Sequence, residues 1–137
     1  MAKLKLIVCL DDRYGILFQN RRISSDKEVI KHIQEITAGS MLICNAYSSK
    51  LFPDGSVYVS EDFARTSSDT AYYFVEGQDL TPVVDQVREL IVYRWNRIYP
   101  SDHRFPMDLF TERMQRVSCG HFRGSSHDFI TWEVYRL

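Results

Sequence analysis

The apolar residues of this chain fall into short runs that are separated by polar turns. Residues 4–10, interrupted only by Lys5, and residues 41–44 are apolar runs, typical of strands that are buried on both faces. Residues 90–93 form a third run of this kind. Further strands are predicted at residues 57–59, 72–75, 115–119 and 130–135. Together these segments predict a sheet that draws on the whole length of the chain.

Helical spacing of apolar residues begins after a pair of serines. Ser24 or Ser25 is placed to cap a helix, and Glu28 has capping-box spacing from Ser25. Val29 and Ile33 lie on the face that would turn toward the core. The pattern therefore predicts an amphipathic helix that ends near residue 39.

The segments between the remaining strands predict two further helices and two irregular regions. Residues 45–51 predict a short helix, and Thr81-Pro82 begins another with proline at the first helical position. Residues 16–23 predict a loop, and residues 120–124 a turn between the last two strands. The sequence thus predicts an α/β fold: a mostly parallel sheet flanked by helices, with a C-terminal antiparallel hairpin.

Length and composition indicate one globular domain over residues 1–137. Hydrophobic residues make up 45% of the chain and charged residues 26%, an ordinary mixture for a chain that buries its own core. Cys9 and Cys44 stand in apolar runs, where cysteine behaves as a small hydrophobe. No segment approaches the roughly 20 apolar residues of a membrane span. We expect a cytoplasmic protein with reduced thiols and no membrane partner.

The charges are balanced overall but unevenly placed. The net charge of −1 gives no general attraction to nucleic acid or anionic lipid. Residues 94–123, however, contain six arginines against three acids. Because the guanidinium group pairs well with phosphate and carboxylate, this stretch is a candidate binding surface for anions.

Three segments together resemble dihydrofolate reductase. The first is residues 6–16, with the helix and strand that follow; the second is Leu90-Ile91-Val92; the third is residues 127–135, His-Asp-Phe-Ile-Thr-Trp-Glu-Val-Tyr. Their order and spacing cover most of the chain. The resemblance implies the α/β sheet of that family and a ligand cleft, with NADPH as the cofactor of an active member.

The chain departs from this family at the positions of the family's proton donor and cofactor contacts. Ser24 and Val29 stand at the spacing of the family's tryptophan and proton-donating acid, and valine cannot supply a proton. Asn45-Ala46 replaces a Gly-Arg pair near the cofactor phosphates, and Tyr93-Arg94 replaces a Gly-Gly pair. The resemblance therefore implies a member without reductase activity and without a bound cofactor. If the loop register slips, Asp26 or Glu28 could replace the missing acid, and NADPH would then stay a candidate cofactor.

A second resemblance is to short uncharacterised bacterial proteins, some of which carry the label ribonuclease Z. It rests on residues 93–102 and on residues 124–127. That label implies a two-zinc hydrolase with a His-x-His-x-Asp-His cluster. The four histidines here are not clustered in that way, so we expect no metallonuclease activity and no metal site.

The run Tyr93-Arg94-Trp95-Asn96-Arg97 is the most unusual in the sequence. It follows an apolar strand, and ligands of α/β sheets bind beyond strand ends. Arg94 or Arg97 could pair with an anion while Tyr93 or Trp95 stacks on a planar ring. Alternatively, Trp95 packs with Ile98 in a helix while the arginines face water or pair with Asp102.

Two other segments could carry chemistry. In Gly124-Ser125-Ser126-His127 a serine could act with the histidine, but the sequence identifies no orienting acid, and a turn before a strand is favoured. Cys119-x-His121 has no second ligand pair, which argues against a metal.

These patterns lead to three hypotheses of function. The first is a non-catalytic protein with a dihydrofolate-reductase-like fold that binds a small anionic ligand or a protein partner. The second is a divergent NADPH-dependent reductase of a folate- or pterin-like substrate, and the third is an RNA or nucleotide binder, which the balanced charge disfavours. No catalytic residue is assigned. The candidate ligand-binding residues are Ser24, Val29, Asn45, Tyr93, Arg94, Trp95 and Arg97.

Overall fold

A computed structural model describes residues 3–62 and 70–137 of the chain. In these residues a seven-stranded sheet is the main element, with the spatial order β5-β4-β6-β1-β7-β10-β9, and a three-stranded sheet has the order β3-β2-β8. The strands are β1 (Leu4–Leu10), β2 (Gly15–Phe18), β3 (Arg21–Arg22), β4 (Met41–Cys44), β5 (Tyr58–Val59), β6 (Ala71–Phe74), β7 (Val87–Arg94), β8 (His103–Arg104), β9 (Gln115–Phe122) and β10 (Ile130–Arg136). The helices are α1 (Lys27–Ile36), α2 (Ala46–Ser49), α3 (Met107–Thr111) and a 3-10 helix at Thr81–Gln86.

The centre of the large sheet is parallel. β1 pairs with β6 on one side and with β7 on the other, so that Ile7 lies beside both Phe74 and Ile91. β4 continues the parallel part next to β6. β10 runs antiparallel to both β7 and β9. This arrangement confirms the predicted mostly parallel sheet with a C-terminal antiparallel hairpin.

Two hydrophobic cores cover the two faces of this sheet. Leu6 and Val8 of β1 belong to one core, together with Phe110 of α3. Ile7 belongs to the other, with Val29 and Ile33 of α1. Because successive side chains of a strand point to opposite faces, a strand covered on both sides is mostly apolar. This requirement explains the run at residues 4–10, in which Lys5 is the one charged residue and lies over the ring of Tyr72.

Several local predictions were wrong at the ends of elements. Residues 16–23 were predicted as a loop, yet β2 and β3 form a hairpin there, and β8 pairs with β2 from a distant part of the chain. The predicted helix after Thr81 is a 3-10 helix of six residues, because β7 begins at Val87. Ile98 is 57% exposed and no helix contains it, so it does not pack beside Trp95 in a helix.

The start of α1 also differs from the prediction. Asp26 is the N-cap, and its side chain accepts a hydrogen bond from the backbone N–H of Glu28. The predicted caps Ser24 and Ser25 precede it. Within the described residues, no helix is long and apolar enough to cross a membrane.

Candidate functional site: a buried Asp–His pair beside an arginine-lined groove

The carboxylate of Asp26 lies inside the molecule, where α1 meets the loop between β9 and β10. It accepts hydrogen bonds from the backbone N–H groups of Ser125 and Ser126, both at 2.9 Å, and from that of Glu28 at 2.8 Å. The residue is only 3% exposed. Buried charge is stable only when it is fully hydrogen-bonded. The three backbone donors supply that condition and join the loop to the helix.

His127 connects this carboxylate to two hydroxyl groups. Its Nδ1 lies 2.9 Å from Oδ2 of Asp26, while its Nε2 lies 2.9 Å from both Ser24 Oγ and the Tyr99 hydroxyl. The ring stacks on Trp95 with 4.6 Å between centroids. Because a carboxylate only accepts hydrogen bonds, Nδ1 carries a proton. When Nε2 is unprotonated, its single lone pair accepts a hydrogen bond from one of the two hydroxyls at a time.

The surroundings of Asp26 change its acidity. Burial alone raises the pKa of this carboxyl, because it disfavours the charged form. Hydrogen bonds from Ser125, His127, Ser126 and Glu28 outweigh burial and hold the pKa well below its usual value. Asp26 is therefore a carboxylate at neutral pH.

The sequence patterns did not predict the pairing of Asp26 with His127. The segment Gly124-Ser125-Ser126-His127 forms a turn before β10, as predicted, but an orienting acid for His127 is present. That acid is Asp26, which is 101 residues away in the chain. No local spacing could reveal it. The clue in the sequence was an acid directly after two serines at a helix start, which was considered only as a replacement for the missing reductase acid.

A groove of about 510 Å³ opens next to these residues, beyond the carboxyl ends of the parallel strands. Tyr99 lies on its wall, and the backbone N–H of Tyr99 donates to Asp11, directly after β1. Ligands of open α/β sheets bind at this edge. The lining residues are Phe18, Gln19, Arg21, Arg22, Ile23, Tyr99 and Pro100.

The two arginines of the groove differ in their side-chain contacts and in their exposure to solvent. Arg22 forms a bidentate pair with Glu76, at 3.0 and 2.8 Å, and its guanidinium lies 4.3 Å from the ring centroid of Tyr47. Ser48 also donates to Glu76, at 2.7 Å. Arg21 is exposed to solvent. Arg22 is therefore held by residues that follow β4 and β6, while Arg21 faces the solvent beside the groove.

Acidic side chains of the chain itself also occupy the end of β4. The side chain of Asn45 caps α2 by accepting from the backbone N–H of Ser48. The next backbone N–H, that of Ala46, donates to the carboxylate of Glu61 at 2.8 Å. A glutamate of the protein itself therefore accepts from this backbone donor.

The predicted ligand-binding residues are dispersed around this region. Ser24 and Trp95 both contact His127. Val29 is 1% exposed and lies in the core between α1 and the sheet. The structure thus brings two of the predicted residues to the Asp–His pair, one by hydrogen bonding and the other by stacking.

The remaining predicted residues of this set lie at the end of β7. Tyr93 is fully buried, and its hydroxyl lies 2.6 Å from Nδ1 of His32. Burial and the charges near it raise the pKa of Tyr93 well above its usual value. Arg94 pairs with Glu133 at 2.6 Å, and Arg97 is exposed.

The arginine-rich stretch is partly neutralised within the chain. Arg94 and Arg116 both pair with Glu133, and Arg113 pairs with Asp85. Burial raises the pKa of Glu133, but the two guanidinium groups outweigh it and leave the pKa lowered. These arginines are therefore bound to acids of the protein, which reduces the positive surface expected from the sequence. Among the described residues no group of three or more His, Cys, Asp or Glu side chains could hold a metal ion.

Comparison with known proteins bears on the fold. No protein-family model matches the chain, and no curated protein is similar to it in sequence. Among solved structures, it is similar to a dihydrofolate reductase from Enterococcus faecalis in complex with NADP(H) and RAB-propyl, with a TM-score of 0.67 and 13% identity. The similarity covers 98% of this chain and 97% of that one. The resemblance to proteins labelled ribonuclease Z receives no support. The chain has a dihydrofolate-reductase-like fold, and an identity this low shows the fold alone.

Proposed function

We propose that this protein uses its dihydrofolate-reductase-like fold to bind a small planar anion in the groove beside Tyr99. The observation that carries the proposal is the composition of the groove. It combines a solvent-facing guanidinium, that of Arg21, with the amide of Gln19 and the rings of Phe18 and Tyr99. Aromatic surface favours a planar ligand, and the guanidinium favours a carboxylate or phosphate on it.

The residues at the strand ends do not fit the phosphates of NADPH. Glu61 occupies the backbone donor after β4, and Glu76 occupies Arg22 after β6. A dinucleotide whose phosphates lay at these strand ends would meet these two carboxylates. Like charges at short range are unfavourable, so this geometry favours a smaller ligand that avoids both positions.

The divergent-reductase hypothesis needs a proton-donating acid at the ligand site, and neither of its two candidate acids lies in the groove. Asp26, one of its two candidate acids, has a side chain with no exposed surface, already bound to Ser125, Ser126 and His127. Glu28, the other, lines a different pocket with Lys31. Neither carboxyl group lines the groove.

Calorimetric titration with folate tests the proposal, since folate joins a planar ring to carboxylates. We expect micromolar binding to the unmodified protein and weaker binding as salt is added. Arg21→Ala should weaken binding about tenfold to a hundredfold, because a hydrogen bond to a charged group contributes about 1.5–3 kcal/mol. A pterin without carboxylates should bind no better to the unmodified protein than to this variant.

Arg88→Ala is the matched control, because Arg88 is an exposed arginine near the start of β7 and outside the groove. It should bind folate as the unmodified protein does. Equal folate affinity in the Arg21 and Arg88 variants would contradict the proposal, as would an absence of heat at millimolar folate with folded protein.

A further inference from the structure

We propose that Ser24, His127 and Asp26 form a nucleophile, base and orienting acid for acyl transfer. The two partners of His127 lie on opposite nitrogens of its ring: Asp26 at Nδ1 and Ser24 at Nε2, both at 2.9 Å. This is the order of contacts that activates a serine hydroxyl, with the acid fixing the tautomer and the free nitrogen accepting the proton.

The array is held in place from several sides. Backbone N–H groups of Ser125 and Ser126 fix the carboxylate of Asp26, and Trp95 stacks on the imidazole. Gly124 allows the loop to approach, since a Cβ at this position would overlap Asp26 Oδ2. Catalytic side chains need such a supporting layer to keep productive geometry.

Tyr99 connects the array to the groove. Its side chain lines the groove, and its hydroxyl lies 3.3 Å from Ser24 Oγ and 2.9 Å from His127 Nε2. Ile23, the neighbour of Ser24, also lines the groove, and Ser24 itself is partly exposed. Ser24 itself is not a lining residue, so a small ester must extend from the groove past Tyr99 and Ile23 to place its carbonyl carbon against the Ser24 hydroxyl.

The reaction balances with water as the only co-reactant. Ser24 Oγ bonds to the carbonyl carbon, its proton passes to His127 Nε2, and the carbonyl electron pair moves to oxygen, toward which the Tyr99 hydroxyl can donate. Collapse expels the alcohol, which takes the proton from His127 and leaves Ser24 acylated. Water then attacks the acyl group with His127 as base, and the acid leaves as Ser24 recovers its proton.

Labelling with an alkyl fluorophosphonate tests the array without knowledge of the substrate. Ser24 Oγ would form a bond to phosphorus as fluoride leaves, and intact mass with peptide mapping would place the adduct. We expect one adduct on Ser24, loss of labelling in Ser24→Ala, and full labelling in the control Ser25→Ala, which changes the exposed neighbouring serine. His127→Gln should slow labelling at least about a hundredfold.

Asp26→Asn tests the positioning role of the acid. The rate of labelling should fall, and the pH at which it is half-maximal should move downward, because a neutral amide stabilises the imidazolium less than a carboxylate does. Folded protein that takes no label at any pH between 6 and about 9, or labelling that persists in Ser24→Ala, would overturn the inference. Neither result depends on Arg21, so failure here leaves the anion-binding proposal standing.

Discussion

Among single residues, Asp26 has both a structural role and a role in the proposed chemistry. Its carboxylate caps α1, anchors the loop before β10 and orients His127. The net lowering of its pKa means that the folded protein binds this proton more weakly than the unfolded chain does. Asp26 therefore stabilises the fold above the unfolded pKa of about 3.9, and this contribution is lost as pH falls below that value.

Asp26→Asn should lower the free energy of unfolding at pH 7 by about 1–3 kcal/mol, since buried donors lose an ionised acceptor. Its stability should also depend less on pH below about 4, where protonation no longer removes a native interaction. Denaturant titrations between neutral and acidic pH would measure both effects. Asp128→Asn, at an exposed position of the same loop, is the control. The same acid dependence in the unmodified protein and in Asp26→Asn would refute this role.

At the scale of elements, the decisive contact is between the N-terminus of α1 and the loop that joins β9 to β10. Gly124 donates its backbone N–H to the carbonyl of His127, which closes the turn. An added Cβ would lie 2.8 Å from that carbonyl oxygen and would overlap the Asp26 carboxylate. Both neighbours are fixed by hydrogen bonds, so neither can move away without loss.

Gly124→Ala should therefore destabilise the protein by about 1–3 kcal/mol, as overpacking of a close contact does. It should also displace His127 and lower any labelling of Ser24. Asp128→Ala changes an exposed residue of the same loop and should leave thermal unfolding unchanged. If Gly124→Ala melts at the same temperature as Asp128→Ala, the loop is not tightly packed on the helix.

For the whole molecule, the sequence predicted those strands whose bounds follow from the local pattern of apolar residues. β4 was predicted with its observed bounds and β1 with its full length, because strands buried on both faces are made mostly of apolar residues. The pairing of β2 with β8 was not predictable, since it joins two short segments far apart in the chain, and β8 consists of only two polar residues. The cap of α1 was missed for the same reason: among Ser24, Ser25 and Asp26, the partners that select Asp26 lie about a hundred residues later.

The same limit applies to the groove. Phe18, Gln19 and Arg21 belong to the region predicted as a loop, and Tyr99 reaches them from beyond β7. Nothing in their local spacing marks them as a set. The resemblance to dihydrofolate reductase directed attention to Asn45 and Arg94 instead, and the structure shows these side chains engaged in a helix cap and an ion pair.

We propose that Glu61 and Glu76 exclude a dinucleotide from the ends of β4 and β6. Calorimetric titration of the folded protein with NADPH measures this exclusion. We predict no heat of binding at millimolar NADPH, because Glu61 and Glu76 hold the donors at the ends of β4 and β6. Binding at micromolar NADPH would show that these carboxylates do not exclude the cofactor and would favour the divergent-reductase hypothesis over the other two.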